Sequence, residues 1–160
     1  MIGKIIKEMI AYYAHDPKRI NHFLKVYGFG KAIGCALGLN PTEQFTLEIA
    51  AVTHDIGIKN SERKYGSSSG VYQQIEGPGE AKVLLTKLGV DSLVIERVCW
   101  LISKHHTYTE IDGLDYQILI EADFIVNALE ENLSKDSIHI FVSRYFKTKV
   151  GIEIVSNYLC

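Results

Sequence analysis

The chain is short of several things. Among 160 residues it carries only three cysteines, Cys35, Cys99 and Cys160, far apart and with no CxxC pair. That excludes a disulfide framework and a zinc-ribbon spacing, and a reducing cytoplasm is the expected setting. Cys35 and Cys99 fall in apolar runs and are expected to be buried free thiols; Cys160 ends the chain. No run approaches the roughly 18 apolar residues of a membrane span, and the first residues, broken by Lys4, Lys7 and Glu8, lack the apolar stretch of a signal peptide. A net charge of −2 argues against broad attraction to nucleic acid or membrane. There is no Gly-x-Gly-x-x-Gly and no Walker motif. No two apolar runs are joined by a hairpin-type turn, which argues against strands. What remains is 47% apolar and 22% charged, ordinary for a globular chain able to bury a full core, and most simply one domain over 1–160.

Helical signals recur from end to end, so the expected fold is all-α. Asp16-Pro17 and Asn40-Pro41 read as helix starts and Gly38 as a stop. Pro78 is expected to start another helix, stopped at Gly89. Asp91 or Ser92 opens the next, ending near His105-His106, and another runs from Tyr116 to about Asn132. Further helices are expected up to about Phe146 and over Val150 to Leu159. The stretch from Lys59 to Gly70 is polar, contains Gly66-Ser67-Ser68-Ser69-Gly70, and reads as a loop. Repeats are absent.

His54-Asp55 is the most informative pair. Leu47, Ala50, Ala51 and His54 share one helical face, the face a helix buries. A buried histidine followed by a carboxylate requires partners, and a divalent metal satisfies both. His22 lies on a stripe with Val26, Phe29 and Ile33, and Asp123 on one with Leu119, Ile120 and Val126. Taken singly, His22 reads equally as a core histidine bonded to a carbonyl. Asp123 reads as a buried ion pair or cap partner, and His54-Asp55 as a solvent-exposed helix end.

Taken together, His22, His54-Asp55 and Asp123, all on helices, resemble the HD-domain superfamily of metal-dependent phosphohydrolases over roughly Arg19 to Asn127. Ala50–Gly57 looks like the family's signature helix end and Ile118–Asp123 like its closing aspartate helix. The resemblance implies a compact multi-helix bundle, with a core of about 16–132 and flanking terminal helices. It also implies one or two divalent ions held by His22, His54, Asp55 and Asp123. Mixed imidazole and carboxylate ligands suit Mn, Fe, Co, Ni or Zn. Members with two ions have further histidine positions. Glu76 stands at one of them, and His105-His106 at the other, with one or both facing the site. The implied activity is hydrolysis of a phosphate ester, for example a nucleotide, by metal-activated water. Asp55, His105 and His106 are candidates for proton transfer, and Lys59 is a further catalytic candidate. Arg19, Lys59, Lys64 and Tyr65 are candidates for binding the small phosphorylated substrate, with Lys104 weaker; Tyr65, Tyr72 and Tyr108 are placed to stack on a base or to pack internally. A metal-containing binding or regulatory module without turnover is the alternative, and an oxygen-activating di-iron site a third reading. Oligomeric state is not encoded in any pattern we read.

Overall fold

The computed structural model describes residues 1–159; Cys160 lies outside the described residues. Nine helices follow one another, with no strand among the described residues: α1 (Ile2–Tyr12), α2 (Pro17–Leu37), α3 (Pro41–Thr53), α4 (Ile58–Tyr65), α5 (Gly70–Lys87), α6 (Ser92–Ile102), α7 (Leu114–Glu130), α8 (Lys135–Tyr145) and α9 (Lys149–Tyr158). None is long and apolar enough to cross a membrane.

The helix starts follow local chemistry. The Asp16 carboxylate accepts from Arg19 N, and Asn40 Oδ1 accepts from the amides of Thr42 and Glu43, each just ahead of a proline whose missing N–H costs nothing there. Asp91 caps α6, Ser134 caps α8 and Thr148 caps α9 in the same way. Gly38, at φ 72°, closes α2 in the left-handed conformation.

Two helices form the centre. In α3 every residue from Thr46 to Thr53 is buried, and in α7 burial is continuous from Asp115 to Val126. A helix surrounded on all sides can be apolar all round. Accordingly α3 packs on α1, α2, α6 and α7, and α7 packs on α2, α3 and α9. A polar residue in or at the end of these two buried stretches is inside the molecule, which makes His54, Glu121 and Asp123 conspicuous.

Three expectations are corrected. The polar stretch after Lys59 is not all loop: α4 occupies Ile58–Tyr65 and only residues 66–69 connect it to α5. Its anchor is small, the buried Ile58 and Ser61, with Ser61 Oγ donating to Gly57 O at 2.8 Å, so no apolar period announces it. The next helix begins at Gly70 rather than Pro78, which sits inside α5. A proline there removes one helical hydrogen bond; packing of α5 against α4 and α6 holds the helix through that point. Cys35 is exposed, because the buried stripe of α2 is formed by His22, Phe23, Val26, Gly30, Ile33 and Gly34 and position 35 falls on the opposite side; Cys99 is half-buried.

Candidate metal centre

The end of α3, the middle of α7 and the first half of α2 meet at a single point. His22 lies on the buried stripe of α2, His54 follows the last residue of α3, and Asp123 sits one helical turn past Leu119 on α7. The turn after His54 is held by Tyr13, whose hydroxyl donates to Asp55 O at 2.7 Å.

Ring nitrogens can be assigned from their partners. His22 Nδ1 lies 2.9 Å from Glu130 Oε2, and His54 Nδ1 lies 2.9 Å from Ala51 O. Both oxygens accept, so both Nδ1 atoms donate, and in the neutral rings the lone pairs sit on Nε2. Those two Nε2 atoms are 3.2 Å apart. Two lone pairs at that distance repel unless a proton or a cation lies between them. Asp123 Oδ1 is 3.2 Å from His22 Nε2 and 3.4 Å from His54 Nε2, yet it makes no hydrogen bond of sound geometry and is buried. Asp55 Oδ2 adds a fourth donor, 3.4 Å and 3.5 Å from the same two nitrogens. A buried orphan oxygen beside two facing lone pairs is the environment a divalent ion satisfies.

A second group adjoins the first: Asp55, His105 and His106 also place one ligand atom each within 4.8 Å of one another. His105 Nδ1 donates to Ile102 O at 2.7 Å, leaving Nε2 bare, buried and without a hydrogen bond, 3.7 Å from Asp55 Oδ1. Asp55 thus turns one carboxylate oxygen to each group. His106 is set by Gln73. The Gln73 amide nitrogen donates to Ser68 O at 2.7 Å, so its oxygen, 3.2 Å from His106 Nε2, accepts the proton held there. Gly70 makes room for this ring: a Cβ at that position would lie 2.6 Å from His106 Cγ.

The electrostatics agree with a cation site. Burial disfavours the charged form of His22, but Asp123, Asp55 and Glu130 outweigh it and raise the ring to about 9. His54, fully buried, is raised against the same penalty by Asp55 and Asp123. Burial pushes the two carboxyls upward, yet the histidines hold both below the usual range, with His105 also acting on Asp55. His106 moves the other way, down to about 4, through burial and the neighbouring His105. The mixture of imidazole and carboxylate donors fits a divalent transition ion without selecting one.

The centre opens into a cavity of about 450 Å³. Arg19 lines it but is held by Asp16 and Glu62. Other expected site residues are elsewhere. Glu76 joins neither group: it accepts from Lys64 Nζ at 2.6 Å and Tyr65 Oη at 2.9 Å, which accounts for all three. The reason is register. With α5 starting at Gly70, it is Gln73, one turn earlier, that faces the centre. Lys59 donates to Tyr12 O at 2.6 Å and lies over the Tyr12 ring. Lys104 lies outside the cavity wall. Tyr65 stacks on Tyr72 with centroids 4.1 Å apart, and Tyr108 packs on Phe141 and Tyr145. The wall also holds residues that the sequence did not single out as site candidates, among them Lys18, Gln73, Asn127, Glu130 and Glu131. Asn127 and Glu130 had a readable signal, since they follow Asp123 by four and seven residues and so continue its face of α7.

Comparison with known proteins agrees with this geometry. A family model described as the HD domain matches residues 19–138. A solved structure of a predicted HD superfamily hydrolase from an uncultured Thermotogales bacterium superposes with a TM-score of 0.65 at 23% identity, covering 98% of this chain and 82% of that one, which shows a shared fold. No curated protein matches the sequence. The family match spans most of the chain and includes every histidine and aspartate of the two donor groups, so the chain belongs to the HD-domain family.

Proposed function

We propose that the chain is a metal-dependent phosphohydrolase acting on a small phosphate ester in the cytoplasm, with Mn, Fe, Co, Ni or Zn as the ion. The observation that carries this reading is Asp55, which presents one oxygen to each of two adjoining donor groups at the base of a cavity. His22, His54, Asp123 and Asp55 would hold one ion, and Asp55, His105 and His106 a second. A divalent ion bound there lowers the pKa of its water and polarises a phosphoryl oxygen.

The protein's own residues do the rest. Glu130, Ala51 O and Ile102 O hold the Nδ1 protons of His22, His54 and His105, so each ring turns a lone pair to the centre. His106 stays neutral near pH 7, and its Nε2 proton is kept on Gln73. Lys18 lines the mouth and makes no ion pair among the described residues, so it is available to a phosphate oxygen. Arg19, already between two carboxylates, stiffens the wall.

The test is elemental analysis of the purified protein with a phosphate-ester panel under added Mn, Co, Ni, Mg and Fe, for wild type and Asp55→Ala. Near-stoichiometric metal and metal-dependent phosphate release, both lost in the variant while helix content is kept, are expected. Full metal occupancy in Asp55→Ala would remove Asp55 from the centre. Bound metal without turnover on any ester would favour a binding module.

A further inference from the structure

Resting on the phosphohydrolase reading, we propose that the cavity selects a small hydroxyl-bearing phosphate monoester, a polyol or sugar phosphate, over a nucleotide. Three features of the wall point there.

The wall offers little on which a base could stack: among the described residues no Phe, Tyr or Trp lines it, and Ile58 is its one aliphatic side chain. The tyrosines nearest in sequence are committed to each other or to the core: Tyr65 to Tyr72, Tyr108 to Phe141 and Tyr145. The rings that do line it are imidazoles with fixed faces. His22 is tied to Glu130, and His106 is wedged on Gly70 and bonded to Gln73. Stacking on aromatic side chains is a strong source of affinity for bases, and no Phe, Tyr or Trp among the described residues supplies it here.

The wall is instead furnished for hydroxyl groups. Asn127 lies on α7 one turn beyond Asp123, and its amide makes no hydrogen bond among the described residues. It offers both a donor and an acceptor. Glu131 and Asp16 add carboxylate acceptors at the rim, and Ser68 a hydroxyl. A sugar hydroxyl, which both donates and accepts, pairs with this set; the phosphate end is served by Lys18 and the donor groups below.

Charge sets the same limit. The wall holds five carboxylates against two cationic side chains, and Arg19 is already engaged by Asp16 and Glu62. One phosphoryl dianion at the centre would be balanced by a divalent ion held there by the two donor groups. The further phosphates of a di- or triphosphate would meet Glu131, which makes no ion pair among the described residues, while Asp16 and Glu130 are already paired with Arg19 and Lys25, and like charges at close range repel. A volume of about 450 Å³ suits a small ligand.

The test uses the full chain loaded with its most activating ion. It compares kcat/KM for glycerol, pentose and hexose phosphates, for nucleoside mono-, di- and triphosphates, and for p-nitrophenyl phosphate, which carries no hydroxyl. The best polyol or sugar phosphate is expected to exceed the best nucleotide by about tenfold or more. Asn127→Ala is expected to raise KM for that substrate about fivefold, as for one lost hydrogen bond, and to leave p-nitrophenyl phosphate within about twofold. A nucleotide equal to or better than every sugar phosphate overturns the inference, as does an Asn127→Ala effect equal on both substrates. Turnover of p-nitrophenyl phosphate with none of the polyol or sugar phosphates overturns the inference alone. No metal-dependent turnover of any ester overturns the hydrolase reading and the inference with it.

Discussion

Loading the metal-free protein with a divalent ion at about pH 7.5 should release protons. In the metal-free cluster His22 stands at about 9, because Asp123, Asp55 and Glu130 together outweigh its burial. A group 1.5 units above the working pH is ~97% protonated, and a histidine must be neutral to ligate. The ion therefore displaces a proton, at a cost of roughly 2 kcal/mol at that pH. Apparent affinity should weaken about tenfold per pH unit below 9, so about a hundredfold from pH 8.5 to 6.5 from His22 alone. His54, raised by the same carboxylates, steepens the slope. The sign for folding is opposite. A histidine whose folded value lies above its unfolded 6.5 contributes stability that is fully present below about pH 6.5. That contribution is lost by about pH 9 in the metal-free protein. Calorimetric titration with Mn in two buffers of different ionisation enthalpy reads the proton directly, and Kd against pH reads the slope. A flat Kd across that interval, with heats independent of buffer, would refute the reasoning.

Two substitutions probe what surrounds the centre. Glu130→Gln keeps an oxygen for His22 Nδ1 but removes the charge behind it, and should weaken metal affinity about tenfold in a chelator competition; unchanged affinity would show that Glu130 serves only Lys25. Glu121→Ala removes a fully buried carboxylate that accepts from Gln117, from the amides of Lys147 and Thr148 and from the Thr148 hydroxyl. It should destabilise the fold by about 2–4 kcal/mol in urea unfolding, since several donors are left buried and unpaired, and a change below about 0.5 kcal/mol, the size of an ordinary surface substitution, would mean that water replaces it.

The clustering of His22, His54 and Asp123 was legible because each is a polar head on a stripe that the fold buries, and the burial of α3 and α7 leaves such a head few alternatives. Glu76 was misread for a local reason. Pro78 looks like the first residue of a helix, but α5 carries it internally, so the residue of that helix facing the centre is Gln73. Lys59 and Lys64 looked available because their segment read as loop. As members of α4 they are spent on Tyr12 O and Glu76. No pattern along the chain encodes that Gln73 and Ser68 O complete the hydrogen bonds behind His106, because those partners come together only across elements. Their residue types are common at exposed ends. Cys35 shows the same limit: an apolar neighbourhood in sequence did not specify which side of α2 faces the core.

Asp123, Asn127 and Glu130 occupy one stripe of α7, so a single rigid rod carries a candidate metal donor, a side-chain amide with no partner among the described residues and the carboxylate bonded to His22. Each residue advances a helix 1.5 Å and rotates it about 100°. A slip of that rod would therefore displace all three together, with none compensating for another. Glu121 ties the rod to the Lys147–Thr148 amides where α9 begins. Helix α9 is thereby coupled to the rod that carries Asp123. Changes in how it seats should be read out as changes in metal affinity.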